Sequence, residues 1–218
     1  MKHELGVEKP EGLREAWPGQ YRGFMWLDHV VTAPGLCTLI TTRKPNGAPN
    51  ASFHAWGMLL GDRTCYSSLL AMGNNHTYAN ILRDGEWCVN LPSFDIMEEC
   101  FRTIECNGPD NNEISDAGLT VEAAQVVSVP RVAECPISLE CRLEWHRPLA
   151  EGSSDHILCG RVVHAAIDDG ALALDQEDRL GSMKLMYFVR GTLNPITRQT
   201  GPVGCLASLG TLVRRQEG

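Results

Sequence analysis

The chain has 218 residues, 43% hydrophobic and 21% charged, with a formal net charge of -8 at pH 7. This length suits one domain with decorations and buries a sizeable core without disulfide or metal staples. The negative balance argues against a nucleic-acid or anionic-membrane surface, which needs clustered Lys and Arg, and no apolar run approaches the roughly 18 residues of a membrane-spanning helix.

In chain order, residues 1–22 are polar and carry Pro10 and Pro18, so they read as an N-terminal arm ahead of a domain over 23–190 and a C-terminal extension over 191–218. Residues 36–42, rich in β-branched side chains, give the first strand. Pro45-Asn46-Gly47 is a turn whose Asn-Gly pair favours a tight hairpin, and residues 50–60 resume as one strand. Gly61-Asp62 turns the chain and residues 64–69 return. Residues 76–83 set Tyr78, Ile81 and Leu82 at helical spacing, with Asn75 as N-cap and Gly85 just past the end. Glu86-Trp87-Cys88-Val89-Asn90-Leu91-Pro92 is a buried strand. Residues 95–106 form a second helix with Ile96, Met97, Cys100, Phe101 and Ile104 on one side, and the Asn, Asp, Gly and Pro of 107–116 predict a loop. Later strands lie within 126–144 and 156–167, broken by Pro130, Pro136 and a turn over 151–154, and Asp168-Asp169-Gly170 closes a further hairpin. Short strands with two early helices predict a β-barrel or sandwich with helical decoration. No glycine-rich strand-to-helix loop of the dinucleotide-binding kind is present.

Within residues 50–60, period 2 places Asn50, Ser52, His54 and Trp56 on one face and Ala51, Phe53, Ala55 and Gly57 on the other. The polar face suits a planar heteroaromatic ligand, and it is equally what an outer strand turns to water. After Asn74-Asn75, the helix start offers unpaired N–H groups and partial positive charge to an anion. Thr77 adds a hydroxyl and His76 a ring donor, while Ser67 and Ser68 face them from the preceding strand. Simple capping by Asn75 and Thr77 is the alternative.

The opening six residues lack the apolar segment of a secretory signal. Nine cysteines, an odd count with no pairing framework, point to free thiols in a reducing cytoplasm. Cys100 and Cys106, like Cys135 and Cys141, stand five residues apart, where zinc pairs stand two to four apart, and there is no C-x-x-C. No metal site is therefore expected. Cys37, Cys65, Cys88 and Cys159 read as small core residues, although free thiols leave a redox-sensor role open. His146, His156 and His164 are scattered, Glu98-Glu99 reads as a solvated helix face, Trp17 and Trp26 as packing anchors, and Arg190 as solvent-facing or ion-paired.

The order of these signals resembles the flavin reductase-like family, in particular its flavoredoxin branch. The residues that carry the resemblance are Asn50-Ala51-Ser52, Trp56, His76-Thr77-Tyr78-Ala79-Asn80-Ile81 and the strand 86–92. Ala117-Gly118-Leu119-Thr120, Pro130, Glu134-Cys135-Pro136 and Leu139-Glu140-Cys141 follow as later landmarks, so that the likeness spans roughly residues 30–190. It implies a mainly β, FMN-binding split β-barrel, antiparallel and of Greek-key type, with a few peripheral helices, usually a homodimer. It also implies an oxidoreductase that passes a hydride or electrons through FMN between NADH, NADPH or an electron carrier and a small-molecule or protein acceptor. No catalytic side chain is then required. The rival reading is a flavin-binding module without turnover. By position, Asn50, Ala51 and Ser52 would meet the ring and ribityl region, and Trp56 would pack by the isoalloxazine. Ser67 and Ser68 would line the pocket, and Asn74, Asn75, His76 and Thr77 would hold the phosphate. Two departures stand out. Gly61-Asp62-Arg63 stands where many relatives carry an Asp-Pro-Pro turn, and Asn74-Asn75 stand where relatives often carry Lys or Arg, so that FMN would bind more weakly unless Arg63, Arg83 or a partner subunit balances the phosphate.

Overall fold

The computed structural model describes residues 2–15, 18–23, 25–31, 33–189, 194, 196–199 and 205–208. They fall into two compact units, one of Met1–Gly35 with Tyr187–Ala207 and one of Leu36–Met186 with Ser208–Gly218. The first opens with α1 (Gln20–Gly23), α2 (Asp28–Val31) and β1 (Pro34–Leu36). Its core is Leu13 against Trp26, with Leu5, Tyr21, Leu27 and Val30 packed around them. The Trp26 indole N–H donates to the Val7 carbonyl at 3.1 Å, so this tryptophan is the anchor expected of it. Trp17 and Arg190 lie outside the described residues.

In the second unit β2 (Thr38–Arg43) and β3 (Pro49–His54) form a hairpin with Arg43 opposite Pro49. The expected hairpin is there, but its loop is longer than an Asn-Gly pair alone would make it. The Lys44 carbonyl accepts from Gly47 at 2.9 Å, with Pro45 fixing the first corner. The strand expected over 50–60 does not run through. It stops at His54, bends at Ala55 and Trp56, and restarts as β4 (Gly57–Gly61), which pairs with β5 (Tyr66–Met72). The Trp56 carbonyl closes the corner by accepting from Ala71 at 2.8 Å.

Next come α3 (His76–Asp84) and β6 (Glu86–Leu91). A 3-10 turn at Phe94–Ile96 leads into α4 (Met97–Glu105), and α5 (Glu113–Asp116) lies in what the sequence predicts as loop. On α4, Cys100 and Thr103 are buried while Phe101 and Ile104 are 41% and 54% exposed, so the predicted apolar stripe is only partly covered. Short strands β7 (Val121–Glu122) and β8 (Arg131–Val132) precede the long hairpin of β9 (Ile137–Pro148) and β10 (His156–Ile167). The chain then adds α6 (Asp169–Leu172), α7 (Gln176–Met183), β11 (Met186–Val189) and β12 (Cys205–Ser208). The hairpin predicted at 168–170 is instead a helix start, because the Asp168 carboxylate accepts the Ala171 N–H at 2.9 Å and caps α6.

Seven strands form one antiparallel sheet in the order β3-β2-β6-β9-β10-β5-β4. Its two outermost strands, β3 and β4, are consecutive in the chain and joined only through Ala55 and Trp56. Laid flat, seven strands would hold those edges about 29 Å apart. The link from His54 to Gly57 reaches about 11 Å. The sheet must therefore curl until its edges meet, which is the split-barrel geometry expected. Ile40, Leu70, Trp87, Val89 and Leu158, which the register places on one face, fill it at 0–1% exposure. Trp87 lies directly on the backbone of Gly160, where a Cβ would fall 2.1 Å from the indole.

Two buried polar side chains organise the sheet's centre. Asn90 donates to the Leu39 carbonyl at 2.9 Å and accepts from Ser138 and Val132 at 2.8 and 3.0 Å. Glu140, fully buried, accepts from the backbone N–H groups of Gln125, Val126 and Val127 at 2.8, 2.7 and 3.1 Å. That explains why residues 126–130 are not the strand expected: the N–H groups of Val126 and Val127 serve Glu140 and that of Ser128 serves Glu86, while Pro130 has none to offer a neighbouring strand. Burial opposes charge on Glu140, yet the three donors outweigh it and hold its pKa below the usual carboxylate range. A depressed carboxylate contributes stability above its unfolded pKa and loses it as pH falls through the folded value. Glu140→Gln should therefore cost about 2 kcal/mol at pH 7, and the deficit should shrink below about pH 4. Urea unfolding at both pH values checks this, and a deficit independent of pH would contradict it.

Candidate functional site

The first turn of α3 faces β3 across a pocket of about 200 Å³ lined by Asn50, Ala51, Ser52, Asn75, His76 and Thr77. Phe53, Thr103, Ile104, Asn107 and Glu113 complete the lining. The helix starts there because Asn75, in extended conformation, accepts the Tyr78 N–H at 2.9 Å. It ends because Gly85 adopts φ 69° and returns its N–H to the Ile81 carbonyl at 2.8 Å. Both caps agree with the sequence. With Asn75 serving Tyr78, helix geometry leaves the N–H groups of His76 and Thr77 without intrahelical partners.

Thr77 is 3% exposed, and its hydroxyl oxygen accepts from the Asn50 amide at 3.1 Å. Because the oxygen accepts on that side, the hydroxyl proton remains available to donate elsewhere. Ala51 has already committed its N–H, to the Glu113 carboxylate at 2.7 Å. The other Glu113 oxygen pairs with the Lys44 ammonium at 2.9 Å, both side chains being at least 97% buried. Among the described residues no Lys or Arg lines the pocket.

Of ten residues proposed from the sequence, six meet here. The other four lie elsewhere. Asn74 is exposed just before the cap. Trp56 sits at the β3–β4 corner with its ring 5.9 Å from that of His54. The Ser67 hydroxyl approaches the Cys65 sulfur at 3.9 Å. Ser68, fully buried, lines a separate small pocket with Leu36, Thr38, Leu70 and Val89. Neither arginine considered for the missing charge lines the pocket. Arg83 is held at the far end of α3 by Asp84, Asn80 and the Arg43 carbonyl, and Arg63 is exposed in the β4–β5 turn. Sequence reasoning missed Lys44 and Glu113, which lie 69 positions apart and carry no local signal for each other.

The thiols give the redox-sensor reading no support. The eight described with their side chains are free. Burial pushes Cys37, Cys88 and Cys100 up to about 12 and raises Cys135, Cys141 and Cys159 as well, which suppresses the reactive thiolate. No cluster of three or more His, Cys, Asp or Glu side chains able to hold a metal occurs among the described residues. None of the helices described is long and apolar enough to cross a membrane.

The sequence profile described as "Flavin reductase like domain" matches residues 32–193. An uncharacterized protein of Aquifex aeolicus is 32% identical over 96 residues, 44% of this chain and 47% of its own length. The chain therefore spans about half of that relative. Nitrilotriacetate monooxygenase component B from Bacillus cereus superposes with a TM-score of 0.77 at 19% identity, covering 99% of this chain and 100% of its own. The flavoredoxin of Desulfovibrio vulgaris (Miyazaki F) superposes at 0.68 with 18% identity, covering 84% and 92%. Identities this low speak for the fold.

The cap makes a local prediction. Asn75→Ala should destabilise the protein by about 1 kcal/mol, and Asn75→Asp should restore most of that. Urea unfolding of the three proteins decides, and an Asp variant no better than the Ala variant would contradict the cap.

Proposed function

Because the chain belongs to the flavin reductase-like family, we propose that it is an FMN-binding oxidoreductase whose cofactor phosphate is held at the first turn of α3. The observation that carries this reading is the convergence of unpaired first-turn N–H groups, the Thr77 hydroxyl and the polar residues of β3 on one pocket. Its volume, about 200 Å³, falls below the roughly 300–1,000 Å³ of sites that enclose a whole ligand. It suits one end of a flavin rather than all of it. The helix start supplies partial positive charge and donors to a phosphate. Trp56 stands at most about 14 Å along the chain from Ser52, which allows the ring system to extend from the pocket toward the barrel corner.

The flavin, when bound, supplies the hydride or electron chemistry between NADH, NADPH or an electron carrier and an acceptor. The chain's own work is to bind and orient. Asn50 fixes the Thr77 rotamer, Asn75 fixes the helix start, and Ser52 and Phe53 form the wall along which the ligand lies. Holding donor and acceptor in contact is then the main contribution to rate. The absence of Lys and Arg from the described lining favours a second reading, in which flavin is held loosely, as a passing substrate or in a binding module without turnover. NAD(P)H oxidation with and without added free flavin separates these.

The half-exposed Phe101 and Ile104 on α4, the latter lining the pocket, offer apolar surface for a second copy. We take the protein to be a homodimer. Light scattering at micromolar concentration should give twice the chain mass, and a monomer would contradict this. A cytoplasmic setting belongs to the same reading, in keeping with the free thiols.

Protein incubated with FMN and desalted should retain a flavin absorption spectrum, and a colourless product would contradict the assignment. Thr77→Val should weaken FMN binding by about 1–3 kcal/mol, read by titration of flavin fluorescence. An unchanged dissociation constant would remove Thr77 from the site.

A further inference from the structure

Lys44 is 4% exposed, yet it is not stranded. Its ammonium donates to the Gly108 carbonyl, to the Asn111 carbonyl at 2.9 Å and to the Glu113 carboxylate at 2.9 Å, which uses all three protons. Glu113 in turn uses one oxygen for Lys44 and the other for the Ala51 N–H. Only Glu113 of this pair reaches the pocket wall. A carboxylate is an awkward neighbour for a phosphate, which itself carries about −1.5 to −2 at pH 7. In a poorly hydrated wall their repulsion would be strong, because little water screens it. The lysine behind the carboxylate cancels that charge.

We propose that Lys44, acting through Glu113, sets the electrostatic condition under which the anionic end of a flavin can enter this pocket. This rests on the flavin reading above. Lys44 is a positioning residue: with every proton committed, it does not bind the phosphate itself. It ties the 107–112 loop to the β2–β3 hairpin and neutralises the one acidic group among the described residues of the wall. With the carboxylate neutralised, the helix start and the Thr77 hydroxyl act on the phosphate unopposed. Unbalancing the pair would therefore change the binding of a phosphate-bearing flavin and leave one without a phosphate little affected.

The test compares FMN with riboflavin on the wild type, Lys44→Met, Glu113→Gln and the double variant, read as dissociation constants from flavin fluorescence. Lys44→Met leaves an uncompensated carboxylate in the wall and should weaken FMN about tenfold. Glu113→Gln keeps an acceptor for Ala51, leaves the lysine charge unopposed and should tighten FMN. The double variant should return to within about threefold of the wild type, and riboflavin should shift less than about threefold throughout. FMN and riboflavin moving together, or FMN weakened by Glu113→Gln, would overturn the proposal in favour of a purely structural pair. Should Lys44→Met fail to fold, the sign of the FMN change in Glu113→Gln decides alone. A wild type that binds neither flavin overturns the underlying reading, and this one with it, whereas a wild type that binds FMN with no charge signature in the variants overturns only this one.

Discussion

Ala55 and Trp56 join the two outermost strands of a seven-stranded sheet, and a link that short obliges the sheet to roll up until its edges approach. The curl gathers Ile40, Trp87, Val89 and Leu158 into one interior. It also leaves β3 as an edge strand with backbone groups to satisfy. An exposed edge invites pairing with another chain. Here α5 answers one of those groups, with Glu113 taking the Ala51 N–H, while α3 lays its first turn against the same strand.

Electrostatic logic follows from that placement. A helix start and a hydroxyl favour an anion, while a carboxylate within the same wall opposes it. Lys44 resolves the conflict from inside the fold rather than from the surface, so solvent and salt screen it little. The pair is buried, and its ends are fully satisfied by backbone and side-chain partners, the condition under which a buried ion pair is tolerated at all.

Local signals were legible and long-range ones were not. Asn75 and Gly85 bracket α3 by capping chemistry that acts over four residues, so the sequence identifies both ends. The Asn50, Ser52 and Thr77 set was legible because strand alternation and the helix start are both short-period patterns. The break at Ala55 and Trp56 was invisible because period-2 polarity continues through it, and only the pairing of β4 with β5 reveals the corner. Residues 126–130 look like strand by composition, yet Glu140 captures the Val126 and Val127 N–H groups from a distant β9 and Glu86 takes that of Ser128. Glu113 sits among Asn, Asp and Gly residues that read as loop, and its partner Lys44 belongs to a turn. Ser68 is a polar residue in a plausible place that the curl of the sheet turns into a different pocket.

The claim at the centre is that the amides opening α3 hold the phosphate of a flavin. Amide proton–nitrogen NMR of the labelled protein, titrated separately with FMN and riboflavin, tests it most directly. The His76 and Thr77 resonances should move strongly with FMN and little with riboflavin, while those of β3 respond to both. Resonances of His76 and Thr77 that stay in place while FMN binds elsewhere would contradict the account.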